Sequence, residues 1–328
     1  MQIIIRHQFR DLKDYYVTNF FRLLYEKLSV TFSEHSFNIQ NEPSYEDNGY
    51  GSIYSCMNFS IINPQNKKYI LVSFFDNWKY HFMKHLGWEP SKMVQFFYPG
   101  GFNYADYFHF KKHEQNNKDI CCPINIQNIY KSFFYGTFEK GSLNIIENLY
   151  NIRNISLTKP ILYFRGYLWD FRKEMTLNIN DKSIVIIDKN QENNNLNYIE
   201  YLKDLSNYRS ALSLPGGTEV CNRDIECFAI GVPVIRPFLN IQYPDPLIAN
   251  YHYISCYDSC KYWDGNPKYL SYKDFQENLI DCWIKNKENL EYLDFISYNA
   301  RNWFIKNCTL ENNVDYVLSQ INLEALYG

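Results

Sequence analysis

From residue 159 onward, short apolar runs alternate with helical segments, and every connection between runs is too long for a hairpin. The runs are Ile161-Leu162-Tyr163-Phe164, Ser183-Ile184-Val185-Ile186-Ile187, Ala211-Leu212-Ser213-Leu214, Pro233-Val234-Ile235 and His252-Tyr253-Ile254. Helices are expected over about 196–207 and 219–231, the second ended by Gly231, a residue type common just past a helix. Antiparallel neighbours can be joined by two residues, whereas parallel ones need a long crossover. The alternation therefore predicts the α/β class, a parallel sheet wrapped by helices. Further helices are expected over about 272–287, 289–306 and 310–325.

The first half follows a different rule. A strand over 2–6 leads into a helix over about 11–28, with Tyr16, Phe20, Leu23 and Leu24 on one face. Residues 40–51 are polar and turn-rich and read as a loop. Two strands, about 52–61 and 68–75, flank Asn63-Pro64-Gln65-Asn66 and predict a hairpin, so this half is not a pure βαβ repeat. A short helix (78–86), a strand (93–98), the Pro99-Gly100-Gly101 turn and a helix near 141–150 follow. A chain of 328 residues is long for one core and comfortable for two domains.

A net charge of -3 argues against a general nucleic-acid binder, which needs a concentrated basic surface. No apolar run reaches the ~18 residues that span a bilayer, and the first strand is too short for a signal peptide. The expected location is the cytoplasm, and the nine cysteines are expected as reduced thiols. The Cys256/Cys260 spacing is not that of a zinc knuckle. The pairs His81/His85 and His109/His113 have helical spacing but no HExxH context, and no metal or other cofactor is expected. Tyr (30) and Phe (24) are so abundant that an aromatic residue alone carries no site information.

The segment 208–237, YRSALSLPGGTEVCNRDIECFAIGVPVIRP, carries the most chemistry. A buried strand ends in Pro215-Gly216-Gly217, where the backbone can approach a ligand closely. A helix then starts with Thr218 or Asn222 as N-cap and offers free N–H groups to an anion. Glu219, Arg223 and Glu226 are expected on one face of that helix. A solvated salt-bridge ladder is the plain alternative, but it explains neither the Pro-Gly-Gly turn nor the Gly-Val-Pro-Val-Ile-Arg-Pro strand that follows. A cation at a helix N-terminus is unfavourable unless an anion meets it, which a bound diphosphate would do.

Arg223-Asp224-Ile225-Glu226 with Ala229, Gly231 and Pro233-Val234-Ile235 resembles the donor-binding core of GT-B glycosyltransferases, exostosin-like and related families. Tyr163-Phe164-Arg165-Gly166, followed by Arg172, is similar to the Phe-Arg-Gly element that opens the donor domain there. The resemblance spans about 140 residues of the C-terminal half, and similar proteins occur in large DNA viruses, for which the location would be the host cytoplasm. It implies two Rossmann-like domains facing a central cleft, with C-terminal helices packing back across them. The implied division is 1–150 for an acceptor-side domain, 151–305 for the nucleotide-sugar domain and 306–328 for a C-terminal helix.

The implied activity is transfer of a sugar from a nucleotide diphosphate donor to a hydroxyl of a glycan acceptor, inverting and metal-independent. UDP-sugars are favoured, UDP-xylose or a UDP-hexose among them. A GDP-sugar (fucosyl-type) transferase and a non-catalytic nucleotide-sugar-binding module are the alternatives. Arg165 and Arg223 would clamp the diphosphate, with backbone N–H groups around Gly216, Gly217 and Thr218 completing the cradle. Glu226 would accept from the ribose hydroxyls, and Glu219 would contact the sugar or balance Arg223. An NAD-linked enzyme is disfavoured because no G-x-G-x-x-G follows a strand.

An inverting transfer needs one general base near the acceptor hydroxyl. Asp76 is the first candidate, because it ends the strand Ile70-Leu71-Val72-Ser73-Phe74-Phe75, although it also suits an N-cap. His7 and His81 are further candidates on pKa grounds. Trp78 would serve an acceptor platform, against a packing role that the aromatic background favours.

Overall fold

The computed structural model describes residues 2–7, 15–33, 36–41, 58–63, 68–73, 89–96, 120–122, 141–168, 170–191, 196–215, 221–239, 245–257 and 272–308, with isolated positions beyond. The chain divides into two compact units, 1–127 with 307–328, and 128–306.

The first unit carries β1 (Gln2–His7), α1 (Tyr15–Thr31), β2 (Ser36–Asn41), β3 (Asn58–Asn63), β4 (Lys68–Ser73), β5 (Glu89–Phe96) and β6 (Ile120–Cys122). The strands form one sheet in the order β2-β1-β3-β4-β5-β6. β1, α1 and β2 make a βαβ unit, with β1 and β2 parallel. β3 runs antiparallel to both β1 and β4, so the predicted hairpin is present and the sheet is mixed rather than a Rossmann repeat. β5 begins four residues earlier than the sequence suggests (Glu89 instead of residue 93). Pro90 is tolerated because the register shifts beside it, a local irregularity of the kind that absorbs a residue with no N–H. The third C-terminal helix expected over 310–325 falls largely outside the described residues.

The second unit carries α2 (Gly141–Ile152), a 3-10 turn (Ile155–Leu157), β7 (Lys159–Gly166), α3 (Asp170–Thr176), β8 (Ile184–Asp188), α4 (Tyr198–Ser206), β9 (Tyr208–Leu212), α5 (Asn222–Ile230), β10 (Val234–Pro237), β11 (Ile254–Tyr257), α6 (Tyr272–Asn286) and α7 (Leu290–Asn307). Its five strands are all parallel, in the order β11-β10-β9-β7-β8. Relative to a boundary near residue 150, α2 joins this unit: Glu147 pairs with Arg301 on α7, whose guanidinium lies 4.7 Å from the Tyr150 ring.

β7 is buried continuously from Leu162 to Gly166, as a strand covered on both faces must be. Leu162 and Phe164 point into the core shared with Met175, Phe275, Leu279 and Trp283. Tyr163 points the other way and donates to Asp204 Oδ2 on α4 at 2.5 Å. Helix starts are set locally. Asn197 and Glu200 close a reciprocal capping box on α4, at 3.0 and 2.9 Å. At the far end of α5, Gly231 takes the left-handed conformation (φ 70), and its carbonyl accepts from Ser297 Oγ at 2.6 Å.

Candidate functional site

In this strand order the chain leaves β7 toward β8 on one side and later adds β9 on the other. The carboxyl ends of β7 and β9 therefore border a crevice, the place where open parallel sheets bind ligands. Arg165 and Gly166 end β7, Leu214 and Pro215 follow β9, and α5 starts at Asn222.

Arg223, on the first turn of α5, is 8% exposed and lies across the end of β7. Its Nη2 donates to the Arg165 carbonyl at 2.5 Å, and its guanidinium carbon sits 4.1 Å from the Phe164 ring centroid. Its Nε has no hydrogen-bond partner among the described residues. Burial to this degree removes the solvated-ladder alternative for Arg223. Gly166 makes the placement possible, since a Cβ there would stand 2.6 Å from Nη2.

Arg165 shares the α4-side face of β7 with Tyr163, and its charge acts on the Tyr163 hydroxyl beside Asp204. The guanidinium of Arg223 thus meets the backbone of Arg165, while the Arg165 side chain runs toward α4. Glu226 lies one turn beyond Arg223, near the Tyr201 and Tyr198 hydroxyls of α4. Burial raises its carboxyl pKa, and Arg223 and those two hydroxyls oppose that rise.

Lys189, just past β8, was not singled out by the sequence. Its N–H donates to the Gly166 carbonyl at 3.1 Å, and its Nζ lies 5.5 Å from the Tyr201 ring and 5.9 Å from the Tyr167 ring. Burial lowers its ammonium pKa, Glu226 pulls it back up, and Arg223 and Arg165 lower it further. Among the described residues, three cations, Arg165, Arg223 and Lys189, act on one another around this strand end, with Glu226 opposing them, an arrangement suited to a polyanion.

The start of α5 differs from expectation. Cys221 is the N-cap, in place of Thr218 or Asn222, because its N–H donates to Asp224 Oδ2 at 2.7 Å. Asp224 in turn pairs with Arg236 of β10 at 2.6 Å, both side chains fully buried. The helix itself runs Asn222–Ile230, and it carries Arg223 and Glu226. Arg172 steadies the turn from α3: Nε donates to the Pro215 carbonyl at 2.6 Å and Nη2 to that of Leu214 at 3.0 Å. Nη1 reaches the Tyr167 carbonyl at 3.3 Å, so one guanidinium ties the loops after β7 and β9 together.

Gly216, Gly217, Thr218 and Glu219 lie outside the described residues, as do Asp76, Trp78 and His81. His7 ends β1, in register with Asn41 and Phe59. Among the described residues no group of three or more His, Cys, Asp or Glu is placed to hold a metal ion. No described helix is long and apolar enough to cross a membrane.

No protein-family model matches the chain, and no curated protein does. Among solved structures it is similar to a glycosyltransferase from Rickettsia africae ESF-5, at 12% identity and a TM-score of 0.44 over 97% of this chain and 96% of that one.

Proposed function

We propose that this chain is a glycosyltransferase whose second unit grips the diphosphate of a nucleotide-sugar in the β7/β9 crevice. The observation that carries the reading is Arg223, held over the end of β7 by the Arg165 carbonyl and the Phe164 ring, at the first turn of α5. Guanidinium groups there would stabilise the charge that builds on the leaving diphosphate, work that a divalent cation performs in other transferases. Backbone N–H groups of the 216–218 turn and the start of α5 would complete the cradle. Glu226, beside the Tyr201 and Tyr198 hydroxyls, would accept from a ribose.

The donor is a UDP-sugar, of a hexose or of xylose, with a GDP-sugar as the near variant, and the acceptor is a glycan hydroxyl. Transfer is inverting and metal-independent, with Asp76 as base from the first unit, ahead of His7 and His81.

Thermal shift with UDP, GDP and NAD tests the donor. The nucleoside diphosphate that fits should stabilise by roughly 2.7 kcal/mol at about 100 times its Kd. Arg223→Ala should abolish that shift and Arg223→Lys should retain part of it, whereas Asp76→Ala should keep the shift and lose turnover. Stabilisation by NAD with none from UDP or GDP would overturn the reading. A nucleotide shift with no sugar transferred or hydrolysed from any UDP- or GDP-sugar would make the chain a binding module.

A further inference from the structure

Lys189 belongs to neither of the motifs that point to the crevice, yet the strand order brings it there. β8 is the neighbour of β7, and Gly166 and Asp188 are partners in register, so the next residue emerges beside the end of β7. Its backbone is fixed by the hydrogen bond to the Gly166 carbonyl, and its stem extends past the Tyr167 and Tyr201 rings. The Tyr201 hydroxyl also lies within range of the charges on Arg223 and Glu226, which act on it in opposite senses. The ammonium therefore faces the same space as Arg223, approached from the β8 side rather than from α5.

Among the described residues, two of the three charges acting on Lys189 are positive. Arg223 and Arg165 both repel the Lys189 ammonium, and Glu226 is the carboxylate that opposes them. The other described carboxylates close by are engaged elsewhere. Asp188 Oδ1 accepts from the N–H groups of Leu168 (3.2 Å) and Asn190 (3.0 Å), and Asp204 accepts from Tyr163. A monophosphate on Arg223 and the start of α5 would leave the charge at Lys189 unmatched. A second phosphate reaching toward β8 would meet it.

We propose that Lys189 is a third phosphate-binding cation, which gives the crevice its preference for a nucleoside diphosphate over the corresponding monophosphate. The inference rests on the nucleotide-sugar reading of this site.

The experiment compares Kd for UDP, UMP, GDP and GMP in the full chain by calorimetry, for the wild type, Lys189→Met and Lys189→Arg. Methionine keeps an unbranched stem against the two rings while removing the charge. Loss of one charged contact to phosphate should weaken the diphosphate that binds by about tenfold and the monophosphate by about twofold or less. Lys189→Arg should recover most of that loss, and the ligand-free melting temperature of Lys189→Met should not fall. A diphosphate-to-monophosphate ratio unchanged in Lys189→Met, with the wild type binding UDP or GDP, overturns this inference and leaves the site reading intact. A wild type that binds neither UDP nor GDP removes both.

Discussion

A methyl group on Gly166 would stand 2.6 Å from Nη2 of Arg223 and 3.2 Å from Cζ of Phe164, so the absence of a side chain at 166 fixes where a guanidinium 57 positions later can lie. The atom in the way is the tip of a flexible side chain, which can retreat. Gly166→Ala is therefore expected to cost little stability, about 1 kcal/mol for the lost bond to the Arg165 carbonyl, measured by urea denaturation. The nucleotide-induced thermal shift should fall by most of its value. A variant that keeps the full shift would mean that Arg223 binds from some other position. Arg165, Gly166 and Arg223 were legible as a group because strand ends in a parallel sheet converge, whatever the loops between them. Lys189 obeys the same rule and was overlooked because no motif surrounds it. Arg236 stood in view at the end of Gly-Val-Pro-Val-Ile-Arg-Pro, but its partner Asp224 emerges only when β10 and α5 pack.

At the scale of elements, α5 is positioned by an ion pair with no access to water. Asp224 receives the Cys221 N–H at one end of the helix and Arg236 from the adjacent strand, which locks the helix start to β10. Removing the Asp224 carboxylate takes an anion away from a fully buried guanidinium, so Asp224→Ala is expected to destabilise by about 3–5 kcal/mol. Replacing both at once, Asp224→Ala with Arg236→Met, should cost less than Asp224→Ala alone, because the buried guanidinium goes with its anion. Equal costs for the single and double variants would place the stabilisation in the helix cap rather than in the pair. The parallel strands of the second unit were legible because burial on both faces leaves continuous apolar runs. β2, Ser36–Asn41, was not: Phe37 and Ile39 alternate with polar residues in an amide-rich stretch, and its pairing with β1 is settled by α1 crossing between them. β6 is three residues long, too short for any periodicity.

Considered whole, the molecule places every side chain described for the candidate site within residues 163–236, inside the unit 128–306. The core that supports the site is equally local: among the described residues, the cluster running from Ile155 through Phe164, Leu212 and Ile235 to Trp283 and Ile296 lies within that unit. A piece of this length lies in the ordinary range for a domain that folds by itself. The fragment 128–306 is therefore expected to fold, to unfold cooperatively in urea, and to bind UDP or GDP with a Kd close to that of the full chain. With the base proposed at Asp76, ahead of His7 and His81, all within the first unit, the fragment should transfer no sugar. Binding and turnover would then separate along the same line that divides the chain. A folded fragment that binds no nucleotide, set beside a full chain that does, would assign part of the donor site to the first unit.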